Sequence, residues 1–330
     1  MMIGVVVATY NGEKYIAEQL YSILNQTQKP SFIVISDGGS VDRTTDICEK
    51  ILSKASSVDY VILTTDRRLG VSENFQKGLE HCDCDYTFLA DQDDVWLPNK
   101  IERVVQAMIS ENASFAFTNA EIVNDSLEEM GISLWQSVGY FQTEKLRVIE
   151  PCQEAYIREL LRRNVVTGMS MCLRKDCTER VLPFDSNVLH DKWIAMYAAL
   201  ELKTVAINER FMLYRQHRGN VVGTKTNLKK MLKNSKTYYR NVWFSKAMLE
   251  KELSRTHVSN SKICNLLNER IAFYEARLAF MSKKLNFVWP FFHISEFKRM
   301  ETDWASIIIK DYIVRFMRKM RMFTEGESYA

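Results

Sequence analysis

A repeated change of period in the first half of this chain constrains its fold more than any other feature. Ile3–Ala8 is one continuous apolar run, as expected for a strand covered on both faces. Glu13–Gln26 then has helical spacing, with Ile16, Leu20, Ile23 and Leu24 on one face. The pattern repeats. Phe32–Ser36 reads as a strand, and Asp42 can N-cap a helix running to about Leu52. Tyr60–Leu63 is a short strand, Val71–Leu79 a helix and Tyr86–Ala90 a strand. Pro98 suits a first helical turn before Lys100–Ile109, and Phe115–Thr118 is a further strand. This β-α-β-α order predicts an α/β fold with a doubly wound, mostly parallel sheet. Ligands of such sheets bind beyond the carboxyl ends of the strands. Three polar clusters fall there: Thr9-Tyr10-Asn11, Asp37-Gly38-Gly39-Ser40 and Asp91-Gln92-Asp93-Asp94. Far apart in sequence, they converge on one edge.

The third cluster places three carboxylates within four residues, directly after Phe88-Leu89-Ala90. Such charges repel, and burying one unpaired costs several kcal/mol. A hard divalent cation, Mn²⁺ or Mg²⁺, resolves that conflict, because it takes carboxylate oxygens and fills its other positions with water and substrate phosphate. The plainer alternative is an acidic turn that caps the next helix, and Asp91 taken alone fits that equally well. A formal net charge of +3 over 330 residues gives no bulk electrostatic reason to expect nucleic acid. Seven cysteines show no zinc-ligand spacing, and reduced thiols of a cytoplasmic protein are expected. Met1–Val7 lacks the basic region and cleavage site of a signal peptide, and no run of about eighteen apolar residues suggests a membrane span. No Gly-x-Gly-x-x-Gly follows the first strand, which disfavours a dinucleotide dehydrogenase.

From about Gly223 the texture changes. Glycine and proline become rare, and helical stretches are expected over about Leu228–Leu253, Ser261–Lys284 and Asp303–Phe323. The chain therefore divides into residues 1–223 and a helical region of residues 224–330. That region opens with Lys225, Lys229, Lys230, Lys233, Lys236 and Arg240. Near its end Ile309, Tyr312, Ile313, Phe316, Met320 and Phe323 form an apolar stripe, with Lys310, Asp311, Arg315, Arg318, Lys319 and Arg321 opposite. Packing on the body or on a second subunit is the favoured reading; contact with the inner membrane face is the alternative.

Taken together, these motifs resemble family 2 glycosyltransferases of the GT-A fold. Val6-Val7-Ala8-Thr9-Tyr10-Asn11 resembles the family's first strand and nucleotide loop, and Gln19–Thr27 its first helix. Ile35–Asp42 resembles its second strand and turn, Gly70-Val71-Ser72-Glu73-Asn74 the next helix start, and Asp91–Asp94 the metal motif. Asn164–Gly168 resembles the loop near the acceptor, and His190-Asp191-Lys192-Trp193 the segment carrying the catalytic base. Tyr214–His217, followed by Asn220–Gly223, is similar to a block of the rhamnosyl- and hexosyltransferase branch. The resemblance covers roughly residues 3–223, and the helical tail lies outside it.

The resemblance implies an inverting, metal-dependent hexosyltransferase. It would move a hexose or deoxyhexose from a UDP- or dTDP-linked donor to a glycan, glycoprotein or lipid-linked acceptor. It implies Asp191 as the general base, since a sugar hydroxyl is a poor acid and must lose its proton as the new bond forms. From position alone, a helix N-cap is the favoured reading of Asp191, and it is the resemblance that turns it toward catalysis. The resemblance assigns Asp93 to the ribose side and Asp94 to the metal, with Asp91 supporting the loop. His217 reads as a third metal ligand or as a structural histidine. Arg215 and Arg218 could pair with phosphate. Tyr10 is expected to stack on the base or pack at the strand end, with Thr9, Asn11, Asp37 and Asn74 beside the nucleotide. One departure stands out. The family usually has two adjacent aspartates before Gly-Ser, and here the second is Gly38. The base contact it makes is remade by Asp37 or a backbone group, or is lost. Two other classes remain open: a nucleotidyltransferase, disfavoured by the acidic loop Ala8–Glu13, and a nucleotide-sugar-binding module without turnover.

Overall fold

The computed structural model describes residues 1–185, 188–217, 235–255, 260–282, 284–301 and 304–319. The chain forms two compact units, Met1–Tyr156 with Asn164–Val221, and Ile157–Arg163 with Val222–Ala330.

The first unit begins with the alternation expected from the sequence: β1 (Ile3–Thr9), α1 (Ile16–Leu24), β2 (Phe32–Asp37), α2 (Thr44–Leu52), β3 (Asp59–Leu63), α3 (Val71–Glu80) and β4 (Tyr86–Asp91). It continues with β5 (Val95–Trp96), α4 (Lys100–Ser110), β6 (Phe115–Val123), β7 (Glu129–Ser133), α5 (Leu134–Ser137) and β8 (Leu146–Ile149). Then follow α6 (Glu154–Arg162), which belongs to the second unit from Ile157 onward, and in the first unit β9 (Met171–Arg174), α7 (Lys175–Val181), α8 (His190–Glu201) and β10 (Thr204–Arg215). Among the described residues ten strands form one sheet, ordered β3-β2-β1-β4-β9-β6-β10-β5, with β7 beside β6 and β8 beside β10. The half β3-β2-β1-β4 is parallel throughout, and so is the β6–β10 pair. Short β9 runs antiparallel between β4 and β6 and joins the two parallel blocks.

Burial explains why these strands are apolar on both faces. Val5, Val6, Val7, Ile33, Val34, Ile35, Phe88, Leu89 and Ala90 are fully buried. Each large side chain of this kind contributes about 1.5–3 kcal/mol relative to exposure. The register sets Thr9 beside Asp37 and Ala8 beside Asp91, so the ends of β1, β2 and β4 lie side by side. One helix start differs from expectation. The residue before α2 is Arg43, whose side chain makes no cap, while Asp42 one position earlier accepts the Thr44 N–H at 3.0 Å.

In the second unit, helices span Ser235–Arg255, Ser261–Met281, Trp289–Phe292, Ile294–Met300 and Trp304–Lys319. Asn260 caps the second of these by accepting the Lys262 N–H at 3.1 Å. Phe273, Phe280, Met281, Phe297 and Val314 are buried. Arg277 binds Asp311 at 2.9 Å and Glu301 at 3.1 Å, and Arg270 reaches the same Glu301 at 3.1 Å. This corrects the reading of the last helix. Asp311, expected on its polar outer face, is fully buried, and Tyr312 and Ile313 pack against an apolar cluster. Arg218, Asn220–Gly223, Lys225, Lys229, Lys230, Lys233, Met320, Arg321 and Phe323 lie outside the described residues. No described helix is long and apolar enough to cross a membrane.

Candidate active site

The first strand ends in a loop tied to its neighbours by side chains. Thr9 Oγ1 donates to Asp37 Oδ1 at 2.8 Å, and Asn74 Nδ2 donates to the Thr9 carbonyl at 3.1 Å. Gln92 brackets Tyr10, accepting its N–H at 2.8 Å and donating to its carbonyl at 3.1 Å. The Arg68 guanidinium lies 4.6 Å over the Tyr10 ring, and the Asn11 N–H donates to Ser40 at 2.8 Å. Asp37 also accepts Ser40 Oγ, the Ser40 N–H and the Gly39 N–H, at 2.6, 2.7 and 3.1 Å. With Thr9 that makes four hydrogen bonds, the full capacity of a carboxylate. Asp37 is therefore committed to shaping its turn. At Gly38 a Cβ would lie 3.2 Å from Asn74 Nδ2 and 3.3 Å from the Thr9 carbonyl, so the Asn74 amide has the space a side chain there would need.

At the end of β4 the aspartates crowd as the sequence suggested. Asp94 is fully buried; its Oδ1 accepts the Arg215 N–H at 3.1 Å, and its Oδ2 has no partner among the described residues. Burial, then Asp93 and Asp91, push the Asp94 carboxyl well above its usual range. Burial, Asp93 and Asp191 likewise push Asp91 up to about 7. Lys100 opposes both shifts from a fully buried position. Its Nζ donates to the Met169 carbonyl at 2.9 Å and lies 4.0 Å from the Trp96 ring centre, and burial lowers it to about 7.

Arg215, at the end of β10, ties down the acidic loop. It is buried, with Nε donating to the Asp93 carbonyl at 2.8 Å, Nη1 to the Asp125 carbonyl at 2.6 Å and Nη2 to Glu18. These bonds make it a positioning residue for the acidic loop. His217 sits 2.7 Å from Asp93 Oδ2 by its Nε2, with its ring 4.7 Å from that of Tyr15.

Asp191 is the second residue of α8 and lies at the same edge, where the adjoining His190 N–H donates to Ser72 Oγ, in the first turn of α3, at 2.9 Å. Asn164 Nδ2 donates to Asp191 Oδ2 at 2.7 Å, and the Lys192 N–H donates to Oδ1 at 2.6 Å. No cap bond marks it, because the residue before the helix is Leu189. Beside it, His190 is buried between Phe75 and Phe184, ring centres 4.3 and 6.4 Å away, and burial lowers its pKa.

Asp93, Asp94 and His217 do not form a ready cage: no described group of three or more His, Cys, Asp or Glu side chains is arranged to hold an ion. A hard cation completed by phosphate and water needs only one or two carboxylates. The buried, unpartnered Asp94 Oδ2 and the mutual repulsion of three aspartates fit that arrangement.

Sequence reasoning missed Gln92 and Lys100 as parts of this site. Lys100 carried a signal: it is the first residue of α4, where the helix dipole disfavours a cation. A lysine there calls for a nearby negative charge.

The family model described as Glycosyl transferase family 2 matches residues 4–165. Over 251 residues the chain is 26% identical to a dTDP-rhamnosyl transferase, RfbG, of Shigella flexneri, covering 72% of this chain and 81% of that one. Over 125 residues it is 27% identical to the Escherichia coli UDP-Glc:alpha-D-GlcNAc-diphosphoundecaprenol beta-1,3-glucosyltransferase WfgD, covering 38% of this chain and 48% of that one. Among solved structures, S. aureus TarS 1-349 in complex with UDP-GlcNAc superposes with a TM-score of 0.61 at 14% identity, covering all of this chain and 93% of that one. At that identity the likeness concerns the fold, which is that of the GT-A glycosyltransferases.

Proposed function

We propose that this chain, which the Glycosyl transferase family 2 model matches over residues 4–165, is a member of that family and an inverting hexosyl- or deoxyhexosyltransferase using a UDP- or dTDP-linked donor. The glycan acceptor belongs to bacterial surface polysaccharide or glycoprotein synthesis. One observation carries the proposal: the crowded aspartates at the end of β4, with Asp94 fully buried, and the carboxylate of Asp191, oriented by Asn164, lie at the same sheet edge. The relative named as a dTDP-rhamnosyl transferase supports a deoxyhexose donor, and the relative named for a diphosphoundecaprenol substrate supports a lipid-linked acceptor.

Asn164 and the Lys192 N–H orient the Asp191 carboxylate, which takes the acceptor hydroxyl proton as that oxygen attacks the anomeric carbon. The new C–O bond forms on the face opposite the diphosphate, which departs with the electron pair of the broken bond, so the anomeric configuration inverts. Asp93 and Asp94 are the residues that would hold a Mn²⁺ or Mg²⁺, which would supply Lewis acidity to the leaving phosphates. Lys100 and Arg215 keep those aspartates in place, the first by charge and the second by hydrogen bonds. Tyr10 and Thr9 line the nucleotide side, with Asn11 and Asn74 shaping the loop.

The test is a donor panel assayed by nucleotide release with Mn²⁺, Mg²⁺ or chelator. Transfer from one donor class is expected, lost on chelation. Asp191→Asn should lower kcat by about 10²–10⁴-fold while donor binding persists. Undiminished transfer by Asp191→Asn and Asp94→Ala sinks the mechanism, and nucleotide binding without turnover on every donor sinks the transferase reading.

A further inference from the structure

The second unit carries an aromatic tip that its own core does not cover. In Phe287–Phe292 the side chains of Phe287, Val288, Phe291 and Phe292 are 63%, 45%, 59% and 79% exposed. The residues between them are anchored. Pro290 is buried, and the Trp289 ring lies 5.9 Å from Phe280 and 5.8 Å from Phe297. Tyr312 backs the tip from the last helix, 4.8 Å from Phe287 and 6.0 Å from Phe291. The apolar side chains are thus held outward by a packed base.

We infer that Phe287, Val288, Phe291 and Phe292 insert into the interface of an anionic lipid bilayer. Charge argues for this occupant. Lys283 and Lys284 precede the segment, and Lys298 and Arg299 follow it. Glu301 and Asp311 are turned inward onto Arg270 and Arg277, leaving half-buried Glu296 as the acid within the segment and Glu269 as the partner of Arg299. Basic residues beside exposed aromatics are drawn to anionic headgroups. Area argues the same way. Four such side chains offer on the order of 400 Å², about half of what each partner buries in a stable protein interface. Insertion into the headgroup boundary needs only a protruding apolar tip. The inference deepens the acceptor side of the proposed function and rests on it for its purpose, since a lipid-linked acceptor is presented at such a surface.

The experiment is co-flotation of the full chain with phosphatidylglycerol-containing vesicles and with pure phosphatidylcholine vesicles, with no substrate present. Binding to the anionic vesicles is expected. It should fall about tenfold or more in Phe291→Ser/Phe292→Ser and in Lys284→Glu/Lys298→Glu, while nucleotide release with a soluble acceptor stays unchanged. Absence of wild-type binding, or equal binding by either variant, overturns the inference. A wild-type dimer that becomes monomeric in Phe291→Ser/Phe292→Ser also overturns it, assigning the tip to a second copy. Vesicle binding is read without turnover, so failure of the transferase reading shows separately in the donor panel.

Discussion

His190 shows what burial does to one side chain of the site. Packed between Phe75 and Phe184, it has no partner for either ring nitrogen among the described residues, and burial holds its pKa below its ordinary value of 6.5. The unfolded chain therefore binds this proton more readily than the folded one. Stability contributed by the neutral ring is complete above 6.5 and is lost as pH falls through the lowered folded value. His190→Phe keeps the ring and removes the titration. Thermal melts between about pH 5 and pH 7 should show a smaller acid loss of Tm in the variant; equal slopes would refute the assignment. At this scale sequence reading reached the identity of the aspartates but not their burden. Nothing local in Asp37-Gly38-Gly39-Ser40 reveals that Thr9, Gly39 and Ser40 saturate the Asp37 carboxylate, because one donor arrives from another strand. The commitment of Arg215 to Glu18, Asp93 and Asp125 was hidden for the same reason.

Between elements, α8 is seated by a close approach rather than by a cap. A Cβ on Gly168 would lie 2.2 Å from His190 Nε2, and that ring is pinned by its two aromatic neighbours. Gly168→Ala should cost about 1–3 kcal/mol and lower Tm by about 2–10 °C. It should also reduce kcat, because His190 cannot move without carrying Asp191. The double variant Gly168→Ala/His190→Ala should recover part of the Tm loss; additive losses would contradict this packing. The strands and helices up to β6 were legible because each is long enough to display its period, except β5, whose two residues Val95 and Trp96 display none. β9 was not: its three buried residues Met171, Cys172 and Leu173 and half-buried Arg174 carry no alternation, and their antiparallel place between β4 and β6 is set by long-range pairing. β10 extends over Thr204–Arg215 with two irregularities in register, which break the pattern a longer strand would show.

Across the molecule, each unit hides charge in its own way. In the second, Arg277 depends on Asp311 and Glu301, all three nearly or fully buried. Asp311→Ala leaves that guanidinium with too little compensation and should cost about 3–5 kcal/mol, read as a lower urea midpoint and faster protease cleavage within Trp304–Lys319. A midpoint equal to wild type would mean that the pair contributes little beyond its own desolvation. In the first unit, one residue of the last strand fastens positions 18, 93, 94 and 125. This has a consequence for biosynthesis. Chains fold from the amino end as the ribosome releases them, and β3-β2-β1-β4 can assemble while β10 is still untranslated. The acidic loop therefore emerges early and stays unfastened until Arg215 leaves the exit tunnel, so the site is bolted shut only near the end of that unit's synthesis.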